Sequence, residues 1–135
     1  MKTKNELIRE WFKRGEKDLL TATHELSFDK DAVTESVCFH CQQAVEKFIK
    51  AYMVLLNIEI TKTHEIGELI TKCQEKDTEI AEFKETADKL TDYAVEIRYP
   101  EAPEVPTLEE AQEAVRVAKS IREFVRKKAS NLKQK

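Results

Sequence analysis

Only two glycines, Gly15 and Gly67, punctuate this chain, and its three prolines, Pro100, Pro103 and Pro106, fall within one short stretch. A β-sandwich or an α/β fold draws on many more turn-forming residues. Long helices remain. The apolar residues agree, because they return at intervals of three and four, the spacing of one helix face, and do not alternate.

Five helical segments follow from that spacing. The first spans Lys4 to Leu26, with Ile8, Trp11, Phe12, Leu19, Ala22 and Leu26 on one face. Ser27 to Asp31 breaks it, and Asp31 reads as the N-cap of a second helix reaching Leu56 or Asn57. The wide apolar arc of this second helix, from Val37 and Cys38 to Tyr52 and Leu56, predicts packing on several neighbours. A short third helix covers Thr63 to Gln74. The fourth covers Thr78 to Ile97, capped by Asp77, with Ile80, Phe83, Ala87, Leu90 and Ala94 as a bundle seam. Arg98-Tyr99-Pro100 ends it, and a stiff loop runs to Pro106. In the last helix, Thr107 to about Ser130, Thr107 and Glu110 have the spacing of a capping box. The expected fold is all-α: an antiparallel up-and-down four-helix bundle with an extra short helix, in a single domain over residues 1–135.

Composition narrows the function classes. Net charge is -3, and no total excess of cations advertises DNA or an anionic membrane. No segment approaches the roughly 18 apolar residues of a membrane span, and the N-terminus does not read as a signal peptide. The expected location is the cytoplasm, with no membrane partner. Three cysteines, an odd number without a disulfide framework, suit a reducing compartment.

The second helix holds the densest set of chemically useful side chains. Ser36, His40, Gln43, Lys47 and Lys50 share a polar stripe opposite the apolar arc, flanked by Gln42 and Glu46. Such a stripe is either a solvated face or a shared polar site, and its histidine and glutamines are less typical of plain surface than Glu and Lys. Cys38 and Cys41 lie on the apolar arc with no second ligand pair, so they read as small core residues and no metal is expected. His64 reads as a polar residue with a local hydrogen bond or as a general acid or base. Arg98 either caps helix-end carbonyls or holds a phosphate, with Tyr93 and Tyr99 nearby. There is no glycine-rich phosphate loop and no Ser-His-Asp ordering, and no cofactor is expected.

Several of these pieces together resemble the HEPN family of small helical bundles. They are the run from Cys38 to Ala51, Thr63-His64-Glu65-Ile66 followed by Leu69, and Tyr93 with Arg98-Tyr99-Pro100. Trp11 and Glu16-Lys17-Asp18-Leu19 add to the likeness, which covers nearly the whole chain in order. The resemblance implies a homodimer, a nucleotide or RNA ligand, and a minimal nucleotidyltransferase partner in a toxin–antitoxin-type pair. Ribonuclease members carry an Arg-x4-6-His motif. Here Arg98 matches the arginine, but positions 102 to 107 hold no histidine, and none follows His64. The expectation is a binding module in which Arg98, Tyr99, His40, Gln43, Glu46, Lys47 and His64 contact nucleotide or RNA. Enzymatic activity is left open and leans towards absence. The alternatives are a metal-independent ribonuclease with a displaced histidine and a purely structural interaction module.

Overall fold

The computed structural model describes residues 1–94 and 105–133, the last three of these by their backbone alone. Five α-helices are present among the described residues: α1 (Lys4–Leu26), α2 (Thr34–Leu55), α3 (Ile66–Gln74), α4 (Lys84–Asp88) and α5 (Leu108–Lys133). Three 3₁₀ turns, Asp29–Asp31, Thr78–Phe83 and Lys89–Tyr93, complete the described regular structure, and it contains no strand. The all-α class expected from the sequence is what the chain adopts.

Helix α2 is the axis of the fold. Every residue from Phe48 to Met53 is buried, which requires neighbours on all sides. Helix α1 runs antiparallel to it, so that Trp11 faces Lys50 near one end and Asp18 faces His40 nearer the other. Helix α5 runs parallel to it: the Thr34 hydroxyl donates to the Pro106 carbonyl at 2.7 Å, and at the far end the Tyr52 and Phe124 rings meet edge to face at 5.6 Å. Fully burying a side chain such as Phe48, Ile49 or Met53 contributes about 1.5–3 kcal/mol. Gly15 lets α1 close onto α2, because a Cβ there would lie 2.7 Å from the Phe48 ring.

Local chemistry sets the helix ends and corrects several expected ones. Helix α2 starts at Thr34, not Asp31: Asp29 takes a positive φ of 52° and Asp31 is spent in the 3₁₀ turn. The Val33 N–H at the helix entrance is satisfied from α1, by the Glu25 carboxylate at 3.0 Å. At the other end Asn57, with φ 61°, completes a Schellman motif: its own N–H bonds the Val54 carbonyl and the Ile58 N–H bonds Met53. Helix α3 starts at Ile66 and not at Thr63. Its first amides are capped from a distance, Ile66 N–H by the Thr91 hydroxyl and Gly67 N–H by the Asp88 carboxylate. This leaves His64 on an extended approach, ahead of the helix.

The expected fourth helix is not one helix. Residues 78–93 form a 3₁₀ turn, the single α-turn α4 and a second 3₁₀ turn. The inward residues explain it. Ile80 to Phe83 and Ala87 to Leu90 are three-residue steps and coincide with 3₁₀ geometry. Phe83 to Ala87 is a four-residue step and coincides with α4. The expected end at Ile97, the Arg98-Tyr99-Pro100 stop and most of the proline loop lie outside the described residues. The Thr107 capping box forms as expected, with reciprocal bonds of 3.0 and 3.1 Å to Glu110, and α5 continues to Lys133.

Candidate functional site

The polar residues of α2 do not form one solvated stripe. Gln42, Glu46 and Lys50 are spaced four apart and share a row that is buried, at 0%, 4% and 8% exposure. The Glu46 carboxylate is their hub. Lys50 Nζ donates to it at 2.8 Å and the Gln42 amide at 3.0 Å. From the stretch before α3, His64 Nδ1 lies 3.1 Å from both carboxylate oxygens. The Gln42 amide also reaches the His64 carbonyl at 3.3 Å, and Gln43 donates to the Gln42 carbonyl oxygen at 2.8 Å. Lys50 sits over the Trp11 ring, 5.5 Å from its centroid, a cation–π contact that offsets part of its desolvation.

Electrostatics fix the state of the hub. Burial opposes ionisation of Glu46, but the hydrogen bonds from Lys50, His64 and Gln42 outweigh it and hold the carboxyl below the ordinary glutamate value. An ionised carboxylate only accepts, so His64 Nδ1 carries the proton. The side chain of His64 is 65% exposed, against 5% for Glu46. The outer Nε2 edge of a carboxylate-oriented imidazole therefore faces solvent. Such a group can bind an anion when protonated, or take up a proton when neutral.

A second network joins α2 to α1. Asp18 accepts from Lys47 and lies 3.1 Å from His40 Nδ1, and all three side chains are largely covered, Asp18 at 15% exposure. His40, expected at a ligand site, and Lys47 thus share one carboxylate across a helix interface. Arg98 and Tyr99 lie outside the described residues. Cys38 and Cys41 are buried in the core, and burial pushes the Cys41 thiol upward. No cluster of metal-ligating side chains occurs among the described residues. Tyr93 is half-buried, and burial together with the Glu110 carboxylate 3.5 Å away raises its hydroxyl to about 12.

Of the seven expected site residues, Gln43, Glu46, Lys47, His40 and His64 lie among the described ones. The structure joins His64 to the Glu46 carboxylate, connects Gln43 to it only through Gln42, and puts His40 and Lys47 on the Asp18 carboxylate. It adds Gln42, Lys50, Trp11 and Asp18. Lys50, expected on a polar stripe opposite the core, is instead buried, since the Trp11 ring and the Glu46 carboxylate both partner its ammonium. A signal for the α1 residues existed: Trp11 and Asp18 are seven apart, on one helix face.

A family model described as the HEPN domain matches residues 8–128. Among solved structures, the crystal structure of an archaeal HEPN homologue is similar, with a TM-score of 0.73 and 26% identity over 95% of this chain and 98% of that one. No curated protein matches.

Proposed function

This chain belongs to the HEPN domain family, and from that premise we propose that it is a nucleotide- or RNA-binding module whose ligand meets the exposed edge of His64. The observation that carries the reading is the Glu46–His64 pair: a buried carboxylate orients an imidazole that itself stays open to solvent. Two of the stretches that bear the family likeness, one in α2 and one before α3, meet at that contact. Polar contacts from Gln43 and phosphate contacts from Arg98 and Tyr99 complete the proposed site, with His40 and Lys47 beside it on α2. In this reading residues 1–135 form one domain, which acts in the cytoplasm as a homodimer beside a minimal nucleotidyltransferase in a toxin–antitoxin-type pair. Isothermal titration with ATP and with short RNA tests binding. Loss of ATP binding and weaker RNA binding in His64→Ala, against the parent protein, is the expected result, and absence of binding to folded parent protein would sink the proposal.

The same geometry favours a second reading, a metal-independent ribonuclease with a displaced histidine. His64 Nε2 would take the proton of a 2′-hydroxyl, whose oxygen attacks the adjacent phosphorus while the 5′-oxygen leaves. Loss of such a base costs roughly 10²–10⁴ in rate. Cleavage of RNA by the parent protein but not by His64→Ala favours this reading. Equal cleavage by both, or none by either, removes it.

A further inference from the structure

On the side of α1 turned from the His40 network, α1 and α5 enclose a groove of about 790 Å³. Its rim is cationic: Arg9, Lys13 and Lys17 from α1, and Lys119 and Arg122 from α5, against the single carboxylate of Glu16. This stands out in a chain whose net charge is -3. Among the described residues, Arg9, Lys13, Lys17 and Lys119 make no ion pair, and Arg122 only a distant one of 3.8 Å to Glu123. The α1 cations recur every four residues, about 6 Å apart along the helix.

We propose that this groove holds the backbone of a single-stranded nucleic acid. Two observations select that occupant. The charge is complementary to phosphates, and its repeat along α1 suits a linear string of anions better than one small ligand. The accessible lining is more apolar than polar, but it carries no row of large open apolar side chains. Leu19 is 3% exposed, Phe12 is half-buried against Phe48, and only Leu20, at 54%, is open. A docked acidic helix would need a row of apolar anchors that this floor lacks. The surface is separate from the His64 site and does not depend on it.

The test is fluorescence anisotropy with a short labelled oligouridylate and its deoxy counterpart, between about 50 and 200 mM salt. The variant is Lys13→Ala/Lys17→Ala/Lys119→Ala, all exposed helix positions where alanine keeps the fold. Both strands should bind the parent protein, since the backbone is what is read. In the variant the slope of log affinity against log salt should fall by about two units, at roughly 0.7 per lost phosphate contact. His64→Ala should leave that slope unchanged, while ATP titration reports on the His64 site independently. An unchanged slope in the triple variant, or no oligonucleotide binding by folded parent protein, overturns the assignment. So does poly-L-glutamate that binds more tightly than the oligonucleotide and is lost in the variant, because it identifies an acidic protein as the partner.

Discussion

His64 Nδ1 lies 3.1 Å from both carboxylate oxygens of Glu46, and this contact ties the exposed approach to α3 to the buried centre of α2. One partner is open and the other is covered. Glu46 therefore has two duties, neutralising Lys50 in the interior and orienting an imidazole at the surface. The two are separable by mutation.

Removing the hub should be costly. Glu46→Ala leaves the Lys50 ammonium buried without its counter-charge and should lower stability by about 3–5 kcal/mol. Glu46→Gln, which keeps the shape and an acceptor, should cost less. Glu46→Leu combined with Lys50→Met should recover most of the loss, because an apolar pair needs no solvation. Urea denaturation of the three proteins measures the order. A double variant as unstable as Glu46→Ala contradicts it.

Acid should unfold the protein partly through the same group. Burial works against ionised Glu46, yet its Lys50, His64 and Gln42 bonds hold it below the ordinary 4.5. A depressed folded-state value adds stability that is full above the unfolded-state value and disappears as pH falls through the folded one. Asp77, held below 3.8 by its bonds from Tyr52, the Glu79 amide and Lys128 despite partial burial, acts in the same direction. Stability should thus decline below about pH 4.5. The decline should be shallower in Glu46→Gln, as followed by circular dichroism against urea at each pH.

The two glycines should respond differently to alanine. At Gly15 the added Cβ would meet the Phe48 ring at 2.7 Å and the Ala44 carbonyl at 3.1 Å, both fixed in the core. Overpacking of about 1–3 kcal/mol should outweigh the helix gain of about 1 kcal/mol, so Gly15→Ala is destabilised. At Gly67 the obstacle is the Asp88 carboxylate, also at 2.7 Å, on an exposed side chain that can turn away. Gly67→Ala should remain within about 1 kcal/mol of the parent, the lost amide bond balancing the helix gain. Thermal melts distinguish the pair.

All three cysteines should be silent in the folded state. Cys38, Cys41 and Cys73 are buried, and burial, aided by Asp77, raises the Cys73 thiol to about 12. Reaction with an aromatic disulfide reagent needs thiolate and access. No thiol should react promptly in native protein and all three should react in denaturant. Prompt native labelling of even one would show an opening that the packing does not contain.

Asp18 should be a brake on anion binding. It engages both His40 and Lys47. Asp18→Ala should cost about 1 kcal/mol of stability, given the partial exposure of the three groups. It should also free the Lys47 ammonium and the His40 ring, and short RNA should then bind several-fold more tightly by anisotropy. Unchanged or weaker RNA binding by the folded variant would remove these residues from the ligand surface.

The helices were legible because their signals are local. Apolar spacing located α1 to its ends, and the Thr107–Glu110 pair announced the start of α5. The start of α3 was misplaced because its caps, Thr91 and Asp88, come from more than twenty residues away. The broken segment 78–93 was legible in principle, since its inward residues step by three twice and by four once. The candidate site was half legible. Residue types along α2 marked Glu46, Lys47 and His40, but which carboxylate each histidine meets depends on how α1 and the approach to α3 cross α2. That is a tertiary fact. The burial of Lys50 was illegible for the same reason, because only packing brings Trp11 over it.

Trp11 is the only tryptophan in the chain, and the Lys50 ammonium stands 5.5 Å from its ring centroid. The molecule therefore carries a native fluorophore one side chain away from the buried carboxylate that holds His64. A cation withdrawn from the indole face changes the polarity around it and hence its emission. The proposed ligand contact at His64, loss of the Glu46 charge in acid and loosening of the α1–α2 interface would each be readable as light from one unlabelled residue.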